Sequence, residues 1–154
     1  MNREIGNNTA QQQQIQQDRS NTQMQIPVVK RILMVSSEDD VNLSLKSVLE
    51  EENGLQVDSF NNPLLALENF KNGFYDLLII DIVMPQMNGF ELSEEIRRVD
   101  DKVKICFLTA GEIPSKIRFD TPSKHGRGYQ DKFIRLPIEN KVLIEQIDRI
   151  LIYS

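Results

Sequence analysis

The chain has 154 residues, 40% hydrophobic and 27% charged, which fits one water-soluble domain with a sizeable core. Its net charge is −5, all of it on residues 27–154, which argues against a general nucleic-acid binder, because such proteins need a basic footprint. Cys106 is the only cysteine, so no internal disulfide forms; no apolar run reaches the roughly 20 residues of a membrane span or forms a secretion signal, and the expected location is the cytoplasm.

Residues 1–26 are rich in Gln and Asn and poor in large apolar side chains. Such a composition buries too little surface to offset its ordering entropy. A disordered tail is expected there, followed by one domain over residues 27–154.

After Pro27 the pattern changes. Val28–Ser36 is β-branched and apolar and reads as a strand. Val41, Leu45, Val48 and Leu49 fall on one helical face, with Asp39 and Asp40 at the positive end of the helix dipole and Gly54 as a stop. Leu55–Phe60 is a second strand. The run NNP, ending at Pro63, supplies an N-cap and a first-turn proline for a helix over Pro63–Asn72, closed by Gly73.

The third strand is "YDLLIID", Tyr75–Asp81. Phe90, Leu92, Ile96 and Val99 mark the apolar face of a helix that runs to about Arg98. Val103–Thr109 is the fourth strand and Lys132–Leu136 the fifth. Val142, Leu143, Ile147, Ile150 and Leu151 give a last amphipathic helix. Between the last two strands, Gly111–Gln130 holds two prolines, three glycines and almost no apolar period. It reads as loop, with room for one turn around Ser115–Phe119, so the fourth helix of the alternation is short or missing. Strands alternating with helices imply βαβ units and an α/β fold, a parallel sheet covered on both faces.

In doubly wound sheets the site lies beyond the carboxyl ends of the strands. Those ends carry Ser36 and Ser37, Asp81, Thr109, and Leu136–Pro137. A carboxylate after four buried aliphatics is costly unless it sits at the rim, is paired, or is used.

On these residues the chain resembles the receiver domain of two-component response regulators, which has the flavodoxin-like fold of the chemotaxis response regulator. The resemblance covers about Lys30 to Tyr153. Its most specific piece is "DLLIIDIVMPQMNGFEL". In that family the aspartate ending strand three accepts a phosphoryl group from a histidine kinase, and D-x-x-M-P-x-M-[ND]-G follows. Asp81, Met84, Pro85, Met87, Asn88 and Gly89 match. The resemblance implies a five-stranded sheet in the order 2-1-3-4-5. It makes Asp81 the phosphoacceptor, Thr109 the switch hydroxyl with Ala110 as its small neighbour, and Phe133 the switch aromatic. Ordinary core packing is the other reading of Phe133. Ser36, Ser37, Met84, Ala110 and Leu136 are expected to line the phosphoryl pocket.

Two positions depart from the family pattern. An acidic pair ends strand one in the family, whereas "VSSED" places Ser36 and Ser37 there; Ser37 to Asp81 is 44 residues, which suits the family spacing. A lysine precedes the strand-five proline in the family, whereas "IRLPI" has Leu136. Arg135 falls on the opposite face, and Lys132 lies a full strand segment back. In the family two carboxylates and a backbone carbonyl hold Mg²⁺, the carbonyl being that of Val83 here. Each lost charge at ~4 Å removes roughly 1–4 kcal/mol of attraction. With only Glu38, Asp81 and the Val83 carbonyl left as ligands, Mg²⁺ binding is expected to be weak.

His125, the only histidine, sits in "SKHGRGY" and reads as a solvated loop residue. Residues 112–135 carry six Lys/Arg against three Asp/Glu, a patch that also reads as solvated loop. An aspartate-nucleophile phosphohydrolase needs D-x-D after its strand, and Val83 stands in the second position. No catalytic residues are assigned, and the chain is not expected to be an enzyme.

The expected function is that of a stand-alone receiver domain in a phosphorelay, with Asp81 phosphorylated weakly. The alternative is a pseudo-receiver that only binds protein. The final helix reaches Ile152 just before the chain ends at Ser154, so output is expected through a protein. The implied partners are a histidine kinase or phosphotransfer protein and a target protein, with no direct contact to nucleic acid or membrane.

Overall fold

Five short apolar runs build the sheet. A computed structural model describes residues 29–111 and 133–153. The strands are β1 (Arg31–Val35), β2 (Gln56–Phe60), β3 (Leu77–Asp81), β4 (Lys104–Thr109) and β5 (Phe133–Arg135). They form one parallel sheet in the order β2-β1-β3-β4-β5. This is the doubly wound, flavodoxin-like order that the resemblance implies. The described helices are α1 (Asp39–Asn53), α2 (Pro63–Asn69), α3 (Gly89–Val99) and α4 (Asn140–Tyr153).

Side chains alternate between the two faces of a strand, and each face has its own core. Leu33, Val35, Leu78, Ile80, Ile105 and Phe107 meet Ala66 of α2 and Phe90, Leu92 and Ile96 of α3. Ile32, Met34, Leu77, Ile79, Cys106 and Leu108 meet Leu45 and Leu49 of α1 and Leu143 and Ile147 of α4. Leu77, Leu78, Ile79 and Ile80 are fully buried, as a central parallel strand requires.

Local chemistry sets the helix ends. Gly54 takes the left-handed conformation (φ 63°) after α1 and returns its N–H to the Leu49 carbonyl. The Asn62 side chain accepts from Leu64 and Leu65 N–H, with Pro63 in the first turn of α2. That helix ends at Asn69, three residues before the expected stop. Phe70 is extended, and its ring stacks against Tyr75 at 5.8 Å. Lys104 Nζ donates to the carbonyls of Ile150 and Leu151 near the end of α4. The Leu136–Pro137 bond is cis.

Other expectations shift in detail. The strands start later than the apolar runs suggest, because Val29 and Lys30 are exposed. Val99 and Val142, expected on buried helix faces, are exposed too. In α1 the buried row is Asn42, Leu45 and Leu49, while Val41 and Val48 are half-buried. The tail over 1–26, most of the loop over 111–130, His125 and Lys132 lie outside the described residues.

Asp100 closes α3 and ties down two turns. Its carboxylate accepts from Gly73, Lys102 and Val103 N–H. Burial works against its charge, but those three donors and the Arg97 guanidinium outweigh it and hold the carboxyl below the ordinary 3.8. A depressed folded value means the stabilisation is complete above pH 3.8 and is lost as pH falls through the lower folded value. Asp100→Ala is expected to cost on the order of 1–3 kcal/mol at neutral pH, because three N–H groups lose their acceptor. Urea titrations at several pH values check this: the gap to the natural protein must shrink as the medium becomes strongly acidic.

Candidate functional site

The register places the site residues. Val35 pairs with Ile80, so the next residues along, Ser36 and Asp81, meet across the carboxyl ends of β1 and β3. Both continue rows that face the α1/α4 layer: Ile32, Met34, Ser36 and Leu77, Ile79, Asp81.

Asp81 is half-buried, and both of its oxygens are engaged. Oδ2 accepts from the Ser36 hydroxyl at 2.9 Å. Oδ1 accepts from the Val83 N–H at 3.1 Å. A hydrogen bond to a charged group contributes about 1.5–3 kcal/mol. None of the ion pairs among the described residues includes Asp81.

Ser36 is fully buried, and every polar atom it has is used. Its hydroxyl also accepts from Glu38 N–H at 3.2 Å. Its N–H donates to the Phe60 carbonyl at 3.1 Å. Its carbonyl accepts from Asn42 Nδ2 at 2.8 Å. Asn42 also reaches the Phe60 carbonyl at 3.3 Å and so ties α1 to the ends of β1 and β2. The Asn42 Oδ1 is buried with no hydrogen-bond partner among the described residues. Ser37 is half-buried and is not a partner of Asp81.

The loop after β3 is held from both ends. Met84 is buried and joins the α2/α3 core, so it anchors the loop as well as bordering the site. Gln86 has φ 73°, and Met87 N–H closes on the Pro85 carbonyl at 2.8 Å, a strained three-residue turn. Asn88 and Glu91 form a reciprocal capping box at the start of α3. Gly89 lies against β3: a Cβ there would fall 2.5 Å from the Asp81 carbonyl oxygen. The glycine of the motif is therefore needed for close approach; its φ is not in the left-handed region.

The other expected residues surround this centre. The Thr109 hydroxyl donates to the Gly111 carbonyl at 3.1 Å and so faces its own loop. Ala110 is exposed. Phe133 is half-buried and packs on Phe107 (centroids 5.7 Å apart) and Phe90 (6.4 Å). Leu136 is half-buried and packs against the α1/α4 core, and its N–H extends the β4–β5 pairing to the Thr109 carbonyl. Arg135 is exposed.

The donor set does not fit Mg²⁺. That ion wants near-octahedral oxygen ligands, with carboxylates among them. Here the one carboxylate at the centre already accepts from a hydroxyl and an amide. The Ser36 oxygen points its proton at Asp81 and takes the Glu38 N–H on another side. Glu38, Asp39 and Asp40 are exposed, and the Asp39 carboxylate accepts from the Asn61 side chain. Among the described residues, no group of three or more His, Cys, Asp or Glu is placed to hold a metal.

Two supporting features went unread in the sequence. The Asn88-x-x-Glu91 spacing is a capping-box signal in plain view. Asn42 shares the i, i+3, i+7 row of Leu45 and Leu49, so a polar residue on a buried stripe was its signal.

Comparison with known proteins gives consistent matches. The family described as response regulator receiver domain matches residues 32–121. The response regulator receiver protein CpdR of Brucella abortus is 31% identical over 124 residues, covering 80% of this chain and 98% of CpdR. A CheY-like receiver domain structure from Methanospirillum hungatei is 28% identical, with TM-score 0.68, over 80% of this chain and 94% of its own. The response regulator TrrA, solved in complex with the histidine kinase ThkA, is 32% identical, with TM-score 0.63, over 80% of this chain and 99% of its own. The chain spans 35–52% of the length of several regulatory proteins that it also matches.

Two substitutions test the loop. Gly89→Ala is expected to destabilise by about 1–3 kcal/mol, since the Cβ meets backbone that cannot rotate away. Gln86→Gly is expected to stabilise by up to about 1 kcal/mol by relieving the positive φ, offset in part by unfolded-state entropy. Chemical denaturation of both variants reads the opposite signs.

Proposed function

The chain belongs to the response regulator receiver domain family, and on that premise we propose that it acts chiefly by recognising protein, with Asp81 a slow phosphoacceptor. A receiver domain of a response regulator serves two-component signalling. What is particular to this chain is how Asp81 is held.

The Ser36–Asp81 hydrogen bond supports the reading. Phosphoryl transfer depends on fixed positive charge that neutralises the transferring group. Ser36 and Ser37 bring no charge to hold a cation, and Leu136 brings an isobutyl group where an ammonium would stand. The hydroxyl also donates to the oxygen lone pairs that a nucleophilic carboxylate must offer. The Asp81 side chain retains its place at the rim, so acceptance is slowed rather than abolished. Mg²⁺ binding is weak for the same reasons.

The partner on the input side is a histidine kinase or phosphotransfer protein, and TrrA with ThkA is the precedent for such a pairing. Output passes to a protein target, with no direct contact to nucleic acid. The chain is a binding module and not an enzyme: Val83, 74% exposed, stands where a phosphohydrolase needs its second acid.

A phosphodonor assay tests this. The protein is incubated with acetyl phosphate and Mg²⁺, and a labile adduct is sought by intact mass. The natural protein is expected to label poorly and Asp81→Asn not at all. Ser36→Asp/Ser37→Asp/Leu136→Lys should label clearly. Fast, complete, Mg²⁺-dependent labelling of the natural protein would falsify the reading, and no labelling at all would favour a receiver that signals without phosphate.

A further inference from the structure

We propose that Ser36 is a positioning residue whose hydroxyl does the structural work of a divalent cation in this cleft. Receiver domains generally bind Mg²⁺ beside the acceptor aspartate. The donor set here does not fit that ion, yet the aspartate is not loose. The Ser36 hydroxyl bridges the Asp81 Oδ2 at 2.9 Å and the Glu38 N–H at 3.2 Å, so one neutral group joins β3 to the start of α1. The Val83 N–H holds the other oxygen. Two donors thus fix the carboxylate, and each oxygen keeps acceptor capacity for a partner's donor.

The position of Ser36 explains why the substitution is self-consistent. The side chain is fully buried, and strand register sets it against Asp81. A carboxylate at 36 would press a second negative charge against the first, and the pair would demand a cation. A hydroxyl removes that demand and supplies a proton in the same place. The cleft is therefore assembled whether or not divalent ions are present.

This inference deepens the receiver reading, resting on it for the location of the cleft. Its test contains no phosphate, so poor or good labelling with acetyl phosphate leaves it standing or falling separately. Thermal unfolding of the full chain is followed in EDTA and in millimolar MgCl₂ at constant ionic strength. Four proteins are compared: natural, Asp81→Asn, Ser36→Asp, and Ser36→Asp/Asp81→Asn.

The natural protein and Asp81→Asn are expected to melt within about 1 °C of themselves in the two media. Ser36→Asp is expected to melt lower in EDTA and to gain about 3–6 °C with Mg²⁺, a gain lost in the double variant. A Mg²⁺-dependent rise of the natural protein that Asp81→Asn abolishes would overturn the proposal. So would a folded Ser36→Asp that ignores Mg²⁺, because the hydroxyl would then not be what displaced the cation. If Ser36→Asp does not fold, the natural protein and Asp81→Asn decide alone.

Discussion

The Asp81 carboxylate follows four fully buried aliphatics at the end of the central strand, and it needs a partner there. The Ser36 hydroxyl is that partner. Parallel register sets the two residues side by side, and neither reaches across a gap to find the other. The same serine accepts from Asn42 of α1 and from the N–H of its N-cap residue Glu38, and it donates to the Phe60 carbonyl at the end of β2. One residue thus fastens three strand ends and a helix start. The carboxyl edge of the sheet depends on it.

The rest of this edge is held largely by apolar and backbone contacts. Leu136 faces the α1/α4 core and contributes packing. The loop after β3 keeps its shape through apolar and backbone contacts: Met84 in the core, the capping box of Asn88 and Glu91, and Gly89 pressed against the Asp81 backbone. The positive φ of Gln86 is tolerated because both sides of the turn are anchored. On the other face, Phe133 leans on Phe107 and Phe90, so the aromatic position ties β5 to α3. The cleft keeps its receiver architecture around an Asp81 held by a hydroxyl and an amide, with the Leu136 side chain packed into the core beside it.

Much of this was legible beforehand. Leu77–Ile80 reads as a doubly buried strand, and the motif after Asp81 carries the family. What was not legible depends on geometry that linear patterns do not carry. Nothing in "VSSED" says which serine faces Asp81; the Val35–Ile80 pairing decides it. Helix α2 stops early because Phe70 turns its ring onto Tyr75, a contact between residues outside any helical period. Val99 sits on an apolar stripe by spacing yet is half exposed, since the core beneath the end of α3 is filled by Ile96 and Val103. The Gly89 requirement is a clash with a neighbouring strand, and sequence shows only the glycine.

The central claim is that a hydroxyl, and no divalent ion, holds Asp81. Backbone amide NMR addresses it most directly. The Glu38 and Val83 amides donate to the two groups at issue, and their shifts report any ion that enters. Titration of the natural protein with MgCl₂ should leave both resonances without a saturable shift. A saturable shift of both, absent from Asp81→Asn, would contradict the account.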